Sequence, residues 1–321
     1  MRLDSVTLCS HMRAAAILGL GCTPKNLKPF QNATDPAPNK PIEWRTGMPG
    51  VADEVDVILL FGGDGTVHRH LGQLVQLGLP VLVVPAGSGN DFARALGLRR
   101  AGDSLAAWRT FCAEPANVRS IDLGVIKPAE SENSRPEAGS RYFCCAAGIG
   151  LDGEIARRAN ELPRWMRGHG GYALSLIPAL IRFAPSRIKI CTSDKLNQEQ
   201  EPRWVPRSDQ SAMLAVMANT PVYGGGMRIA PRARMEDGQL DVCLVTDIDK
   251  FKLLCLFPTV YFGRHLGIRE VEYFQSARLR VETEYPLDVY ADGEYVCRTP
   301  VEVSVESRAL RVIVSPSQTS F

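Results

Sequence analysis

Apolar runs separated by polar, glycine-rich turns dominate the first third of this chain of 321 residues. Val55 to Phe61 and Leu79 to Pro85 form two such runs, which are typical of strands buried on both faces of a parallel sheet. Between them, Val67 to Leu77 repeats apolar residues at helical spacing, and a second helix is predicted over Asp91 to Leu98. Strand–helix–strand–helix order with short connections predicts a parallel sheet with right-handed crossovers and flanking helices.

The neighbouring segments extend this unit. Arg13 to Leu20 is predicted to be a first strand, Ile42 to Arg45 a short second strand, and Ser104 to Cys112 a further helix. Residues 21–41 are rich in proline and asparagine, which predicts mostly loop with room for one short helix.

The hydrophobic pattern changes near residue 118, where short segments with strand character replace the strand–helix units. These segments are Val118 to Ile126, Arg141 to Ala147, Arg187 to Thr192, Ala212 to Asn219, Gln239 to Thr246, Ala277 to Glu282, Leu287 to Ala291, Val301 to Val305 and Leu310 to Val314. They predict mainly antiparallel β structure, a sandwich or a barrel. Residues 151–184 are the helical exception, and the polar stretches 127–140 and 194–209 are predicted to be mobile loops.

Two domains follow from this change of pattern. The predicted fold class is an α/β domain, with a parallel sheet and flanking helices, plus a mainly antiparallel β-sandwich domain. We expect the α/β domain over residues 1–125 and the sandwich over residues 126–305, with the last strands, about 306–321, able to return to the first domain.

Composition narrows the function classes. The formal net charge is +2 and there is no basic tail, so nothing indicates a nucleic-acid binder. The nine cysteines are scattered without a C-x-x-C pair, which predicts reduced thiols in a cytosolic protein. No apolar run reaches the roughly 18–20 residues that a membrane crossing needs, so we expect a soluble or peripheral protein.

Two glycine-rich turns carry the candidate chemistry. Phe61-Gly-Gly-Asp-Gly-Thr66 follows the first apolar run, and Pro85-Ala-Gly-Ser-Gly-Asn-Asp-Phe92 follows the second. Glycines let backbone N–H groups approach phosphate oxygens, and the helix N-terminus that follows attracts anions. Because parallel strands end at one edge of a sheet, both turns together predict a nucleotide-phosphate site. The chain has no G-x-x-x-x-G-K-[ST] motif, so it is not a P-loop NTPase.

Three carboxylates accompany these turns: Asp64, Asp91 and Asp122, the last within Ile121-Asp-Leu-Gly124. Their charges repel one another unless a cation neutralises them, and Mg²⁺ prefers carboxylate oxygens together with substrate phosphates. The alternative interpretations make Asp64 an ordinary turn residue and Asp91 a helix N-cap. Taken together, the three favour a Mg-nucleotide site.

The motifs also occur in a recognisable order. They are Gly62-Gly-Asp-Gly-Thr66, Pro85-Ala-Gly-Ser-Gly-Asn-Asp-Phe-Ala-Arg94, Ile121-Asp-Leu-Gly124, Gly224-Gly-Gly-x-x-Ile-Ala-Pro231, Glu236-Asp-Gly238 and Asp292-Gly-Glu294. Over about residues 42–314 the chain resembles the diacylglycerol kinase catalytic-domain family, which includes bacterial diacylglycerol kinases, YegS-like lipid kinases, sphingosine kinases and ceramide kinases. The resemblance implies an α/β nucleotide-binding domain packed on a β-sandwich lipid domain, with ATP in the cleft between them.

The resemblance further implies roles for individual residues. Asp292 matches the general base that takes the proton of the lipid hydroxyl, although Asp-Gly between strands is also a hairpin signal and Glu294 is a nearby alternative. A structural Mg²⁺ would be held by the Asp237 carboxylate and the backbone carbonyls of Arg234 and Gln239. The residues implied to hold ATP and its Mg²⁺ are Thr46, Gly62, Gly63, Asp64, Gly65, Thr66, Val67, His68, Ser88, Asn90, Asp91 and Asp122.

Two departures from the family pattern stand out. His68 and Arg69 replace the Asn and Glu that many relatives carry after the first glycine turn; His68 can still offer a ring N–H to a phosphate, whereas Arg69 reverses a charge. The glycine-rich turn expected after the first strand, Asn-Pro-x-Ser-Gly, is absent, and Gly19-Leu-Gly-Cys-Thr-Pro24 stands in its place.

Residues 162–184 combine apolar side chains and Trp165 with flanking arginines, among them Arg164, Arg167 and Arg182. Such a segment suits a lipid gate or a contact with anionic headgroups. The alternative is an ordinary helix that covers the sandwich and is kinked at Pro178.

The function predicted from these features is an ATP- and Mg²⁺-dependent lipid kinase that phosphorylates the hydroxyl of a diacylglycerol-like or sphingoid lipid. Its expected partners are the lipid substrate and a membrane surface, with no nucleic acid and with a homodimer left open. We expect it in the cytoplasm, peripheral at the inner membrane face. An NAD kinase-like phosphotransferase and a non-catalytic nucleotide or lipid sensor are the alternatives.

Overall fold

The computed structural model describes residues 11–33, 42–129, 141–162, 171–193 and 203–318. The helices in these ranges are α1 (Pro24–Asn32), α2 (Asp64–Leu77), α3 (Asp91–Ala95), α4 (Ala101–Ala113), α5 (Leu151–Glu161), α6 (Gly171–Arg182) and α7 (Lys250–Leu256). The strands are β1 (Met12–Leu18), β2 (Ile42–Thr46), β3 (Val57–Gly62), β4 (Val81–Pro85), β5 (Val118–Pro128), β6 (Arg141–Phe143), β7 (Ala146–Gly150), β8 (Ser186–Thr192), β9 (Val205–Ala218), β10 (Leu240–Thr246), β11 (Val271–Ser276), β12 (Arg278–Thr283), β13 (Asp288–Ala291), β14 (Glu294–Arg298) and β15 (Val301–Ile313).

A parallel sheet in the order β4-β3-β1-β2 forms the first layer. Every residue of β3 is buried, as expected for a strand covered on both faces. α2 turns Val67, Leu71 and Leu74 into the same core. The register pairs Leu18 with Phe61 and Gly62 with Pro85, so the turns that follow β1, β3 and β4 lie side by side at one edge.

Antiparallel strands form the second layer, in the order β14-β13-β7-β9-β8-β12-β15, with β10 and β11 continuing from β9. Alternate residues of these strands bury a second core of isoleucine, valine and alanine side chains. The predicted fold class, an α/β domain plus a mainly antiparallel β-sandwich, is therefore confirmed.

The long strands β5 and β15 run through both layers. They pair with each other from Val301 and Pro128 at one end to Ile313 and Val118 at the other. β15 also joins the parallel sheet, where Val312 pairs with Val81 of β4. The proposed domain boundary near residue 125 lies inside β5, and the division into residues 1–125, 126–305 and 306–321 stays a prediction.

The one short helix for which residues 21–41 had room is α1, which accepts Pro24 in its first turn and buries Leu27 and Phe30 in the core. Other local predictions were wrong. The single strand predicted over residues 141–147 is interrupted by a bend at Cys144 and Cys145, whose N–H groups bind a carboxylate of the candidate site.

The second layer also differs in detail from the prediction. β9 begins at Val205, inside the stretch predicted to be a mobile loop, because it pairs there with Thr192 of β8. The two strands predicted at the C-terminal end are one strand, β15, with an irregular register between Glu306 and Leu310. β11, β14 and α7 had no counterpart in the prediction.

The helical exception at residues 151–184 divides into α5 and α6. Leu176, Ala179 and Leu180 of α6 are buried against the second layer, whereas Leu174, Ile177 and Ile181 face outward. Trp165, Arg164 and Arg167 lie outside the described residues. None of the described helices has the length and apolarity that a membrane crossing needs.

Candidate active site

The two glycine turns touch each other through their backbones. A Cβ at Gly63 would lie 2.5 Å from the carbonyl oxygen of Gly89, and a Cβ at Gly87 would lie 2.4 Å from Cα of Gly63. The Asp64 N–H donates to the same Gly89 carbonyl at 3.3 Å, and the Ala86 N–H donates to Gly62 at 3.0 Å. Only glycine fits this contact, so the sequence motif specifies the joining of the two turns.

Several backbone N–H groups remain open at this junction. Within the described part of the chain, no hydrogen bond is made by the N–H groups of Gly63, Gly65, Ser88, Gly89 and Asn90. They lie at the ends of β3 and β4, with the N-terminus of α2 directly beyond the first turn. Open N–H groups beside a helix N-terminus favour an anion, and a phosphate chain is the chemistry that fits.

Asp64 and Asp91 are brought together, as predicted. The Asp64 carboxylate accepts the N–H groups of Asp91 at 3.0 Å and Phe92 at 3.1 Å, so it holds the start of α3. Burial, with the charge of Asp91, raises the pKa of Asp64 to about 7. Asp91 accepts the N–H of Gly225 at 2.7 Å and pairs with Arg94, and burial raises its pKa as well. Two buried carboxylates beside an anion site have the hard oxygen donors that suit Mg²⁺.

Asp122 belongs to a different part of the molecule. Its carboxylate accepts the N–H groups of Gly238 and Arg308, both at 2.8 Å, and it makes no hydrogen bond with Asp64 or Asp91 among the described contacts. It therefore ties β5 to the Asp237-Gly238 turn and to the irregular point of β15, where Arg308 has a φ of 53°. Its share in nucleotide binding stays a prediction.

Asp292 lies in the turn between β13 and β14 and its side chain is wholly buried. Its carboxylate accepts the N–H groups of Cys144 at 2.9 Å, Cys145 at 2.7 Å and Ala146 at 3.3 Å, and it faces Nδ1 of His68 at 3.2 Å. Burial alone would raise its pKa, but the bond and charge of His68 and the backbone N–H groups hold the pKa of Asp292 below its usual value. It is therefore an ionised acceptor at neutral pH.

A cleft opens between α2 and the turn that follows β13. Its walls include Gly65, His68, Arg69, Arg141 and Glu294. The Glu294 carboxylate would lie 2.9 Å from a Cβ at Gly65, so this acidic group of the Asp-Gly-Glu motif reaches the first glycine turn, whereas Asp292 contacts His68 on α2. The cleft thus joins the anion site to Glu294, the alternative base, and to His68, which contacts the predicted base Asp292.

The remaining nucleotide-site predictions divide between exposed and structural positions. Thr46 and Ser88 are exposed at the sheet edge. The Asn90 side chain closes its own turn, accepting from the Gly87 N–H at 3.0 Å and donating to the Gly87 carbonyl at 2.8 Å. Val67 is buried in the core and its N–H donates to Gly63.

Thr66 has a packing role. Its side chain occupies the space beside Gly19 and Gly62, where a Cβ would come within 2.8 and 2.6 Å of Oγ1. The Gly19 N–H also donates to the Phe61 carbonyl at 2.7 Å. The turn after β1, although it departs from the family pattern, therefore packs on the first glycine turn.

The predicted structural Mg²⁺ site lies on the second layer. Asp237 accepts the Gln239 N–H at 3.1 Å and the Gln275 amide at 3.3 Å, and it shares a surface cleft with Arg234 and Asp241. A carboxylate beside turn carbonyls offers oxygen ligands that suit Mg²⁺. Binding by Asp237 and by the carbonyls of Arg234 and Gln239 stays a prediction.

An apolar cavity under α6 and α7 was not anticipated. Among the residues that the structure describes, its lining is apolar except for Asp152, Tyr223 and His265, and it includes Leu176 and Phe257. The Tyr223 hydroxyl donates to Asp152, and burial raises the pKa of Asp152 to about 6. The sequence signal that could have pointed to Asp152 was Gly150-Leu-Asp-Gly153. There a strand is followed by a glycine, an acidic residue and a helix, as it is at the first glycine turn.

Comparison with known proteins agrees with this architecture. A family model of the diacylglycerol kinase catalytic domain matches residues 40–126, and a model of the YegS C-terminal NAD kinase beta sandwich-like domain matches residues 145–314. A diacylglycerol kinase from Mycobacterium tuberculosis is 32% identical over 269 residues, which are 82% of this chain and 78% of that protein.

Solved structures share the fold at lower identity. A diacylglycerol kinase from Bacillus anthracis has a TM-score of 0.64 at 19% identity, covering 95% of this chain and 97% of that one. An NAD kinase from Archaeoglobus fulgidus in complex with ATP has a TM-score of 0.51 at 13% identity, covering 95% of each chain.

These matches assign the protein to the lipid kinases. The chain belongs to the diacylglycerol kinase catalytic-domain family, with the YegS-type sandwich as its second part. The predicted family and the predicted enzyme class are both confirmed.

Proposed function

We propose that this lipid kinase uses ATP and Mg²⁺ to phosphorylate the hydroxyl of a diacylglycerol-like or sphingoid lipid. The observation that carries the proposal is the connection between the apolar cavity and the glycine turns. Tyr223, at the cavity, is followed closely by Gly225, whose N–H holds Asp91 of the second turn. A lipid chain in the cavity and a phosphate chain on the turns would therefore meet at one interface.

The nucleotide half of the proposal rests on the open N–H groups of the two turns. Phosphoryl transfer depends mainly on positioning and charge neutralisation, which backbone N–H groups provide without movement. Asp64 and Asp91 are the residues that would hold Mg²⁺, which neutralises phosphate charge when bound. The raised pKa of both carboxyl groups supports this role, since a bound cation would favour their ionised forms.

The lipid half rests on the cavity lining. Seventeen of the described residues line it, and almost all of them are aliphatic or aromatic, which suits acyl chains and disfavours a dinucleotide acceptor such as that of an NAD kinase. The relative from M. tuberculosis is named a diacylglycerol kinase, so diacylglycerol is the first acceptor we propose to test.

We further propose that the outer face of α6 contacts a membrane. Leu174, Ile177 and Ile181 recur at helical spacing and are 56%, 51% and 70% exposed, and Phe251 of the adjacent α7 is 75% exposed. The opposite side of α6 lines the apolar cavity through Leu176, so a lipid could pass from a membrane at this helix into the cavity beneath it. Such docking agrees with a cytoplasmic protein at the inner membrane face; a homodimer remains a proposal without a structural argument.

The test is turnover of γ-labelled ATP with vesicles that carry diacylglycerol, sphingosine or ceramide, with and without Mg²⁺. We expect labelled lipid from the unmodified protein, abolished by chelation and restored by Mg²⁺. Asp64→Asn should lose the activity, whereas Asp209→Asn, the same change at an exposed surface ion pair, should keep it. ATP binding without labelling of any lipid would instead support a sensor, and labelling of NAD would support the NAD kinase alternative.

A further inference from the structure

Both carboxylate oxygens of Asp292 are occupied by hydrogen-bond partners within the protein. One carboxylate oxygen accepts from Cys145 and Ala146, and the other accepts from Cys144 and faces His68. The side chain is 0% exposed, and three backbone N–H groups fix its orientation. A carboxylate held in this way is a poor direct acceptor for a substrate proton, because every bond it makes favours the ionised form.

His68 lies between Asp292 and the cleft. Since the ionised carboxylate can only accept, the hydrogen bond at 3.2 Å requires the proton on Nδ1 of His68. The lone pair of the neutral ring is then on Nε2, which makes no hydrogen bond among the described residues. The His68 side chain keeps 14% exposure and lines the cleft beside Gly65. The ring therefore presents an accepting nitrogen to the space next to the first glycine turn.

The geometry points to His68 as the catalytic base of this kinase, with Asp292 as the positioning residue that fixes its tautomer and orientation. This inference rests on the proposed function. As the lipid hydroxyl oxygen bonds to the γ-phosphorus, its proton passes to Nε2 of His68, and the bond between the γ-phosphorus and the β,γ-bridging oxygen breaks to release ADP. The imidazolium is held by Asp292 and then returns its proton to water in the cleft.

The charges around His68 set the pH range of this role. Asp292 and Glu294 face it from the turn after β13, Arg141 faces it from β6, and Arg69 follows it on α2. Burial alone would lower the pKa of His68, but the hydrogen bond and the charges of Asp292 and Glu294 raise it above its usual value, with Arg141 opposing them. Activity should therefore fall as the pH drops through the pKa of His68.

The decisive variants are His68→Asn and Asp292→Asn, with His70→Asn as a matched control on the same helix. Asparagine at position 68 can donate to Asp292 from the place of Nδ1 but cannot accept a proton. We expect His68→Asn to lower kcat by at least 100-fold, to change the KM for ATP by less than about threefold, and to lose the acid limb of the pH–rate profile. His70→Asn should retain all three properties.

Asp292→Asn tests the positioning role separately. It should lower kcat and shift the acid limb to lower pH, because the negative charge that raises the pKa of His68 is gone. The assignment would be overturned if His68→Asn kept the kcat and the acid limb of the unmodified protein. It would also be overturned if Asp292→Asn were inactive while His68→Asn stayed fully active. Circular dichroism of each variant separates loss of chemistry from loss of fold.

Nuclear magnetic resonance of ¹³C,¹⁵N-histidine-labelled protein provides a readout that does not depend on turnover. The chain has five histidines, and the two Asn variants assign the signals of His68 and His70. We expect the Nδ1–H tautomer for His68 and a lower pKa in Asp292→Asn than in the unmodified protein. The opposite tautomer would overturn only the assignment of His68 as base with Asp292 as its positioning residue. If the unmodified protein phosphorylates no lipid, the proposed function is overturned together with that assignment.

Discussion

Replacing Gly63 with alanine places one methyl group between the two glycine turns. The backbone of Gly63 is extended, with φ of −104°, so alanine causes no strain of its own and the effect is purely steric. The new Cβ would lie 2.5 Å from the Gly89 oxygen and 2.9 Å from Cα of Gly87. Both neighbours are backbone atoms, so the turns must separate by about 0.9 Å to reach ordinary contact.

Two consequences of that separation can be measured. Overpacking of this size lowers the free energy of unfolding by roughly 1–3 kcal/mol. Displacement of the open N–H groups by nearly 1 Å should reduce kcat for phosphoryl transfer by about 100-fold. Chemical denaturation and γ-labelled ATP turnover measure these two quantities on the same preparation.

Gly72→Ala is the matched control, because it adds the same methyl group on α2 where, beyond its chain neighbours and the backbone of its own helix, no atom of the described residues lies within 4 Å. Alanine is favoured over glycine inside a helix, so this variant should be more stable by roughly 0.5–1 kcal/mol and equally active. Wild-type stability and kcat in Gly63→Ala would refute the argument that contact between the turns positions the phosphate site.

Three further predictions concern other parts of the molecule. Asp152 is buried and its pKa is about 6, above the value in an unfolded chain, so the folded state loses stability as the pH rises towards 6. Relative to the unmodified protein, the free energy of unfolding of Asp152→Asn should therefore rise by about 1 kcal/mol between pH 5 and pH 8 in denaturant titrations. A difference between the two proteins that does not change with pH would contradict the raised pKa. Asp122→Ala leaves two backbone N–H groups without their acceptor and should lower the free energy of unfolding by roughly 2–4 kcal/mol; a raised KM for ATP with unchanged stability would instead indicate a nucleotide contact. Ile177→Glu with Ile181→Glu should weaken sedimentation with anionic vesicles while turnover of a short-chain, soluble diacylglycerol is retained, and equal sedimentation would place the membrane contact elsewhere.

Local sequence was sufficient where the fold depends on neighbouring residues. The apolar runs of β3 and β4 and the glycines after them are contiguous, so the sheet edge and its two turns could be predicted before any coordinates. Val67 shows the limit of that reasoning. It belongs to the motif that predicts the nucleotide site, but its side chain lies in the core, where it packs α2.

Long-range contacts could not be predicted in the same way. His68 and Asp292 are separated by 224 residues, and nothing near either one indicates the other. The bend at Cys144 and Cys145 was missed for the same reason, since its N–H groups turn toward a carboxylate that arrives from β13. A single sequence contains the residues of this cluster but not their pairing.

Carboxylates were also the residues whose roles were hardest to separate. Three carboxylates each accept backbone N–H groups from a distant segment: Asp91 from Gly225, Asp122 from Gly238 and Arg308, and Asp292 from Cys144 to Ala146. Cation binding and acceptance of N–H groups both favour an ionised carboxylate, so sequence alone could not distinguish them. Their other contacts differ: Asp122 bonds only to backbone of β15 and of the Asp237-Gly238 turn among the described contacts of its carboxylate, Asp91 also pairs with Arg94, and Asp292 faces the imidazole of His68. Bonds of this kind hold the sandwich against the glycine turns, so the alignment of lipid and nucleotide depends on the same charges that the chemistry uses.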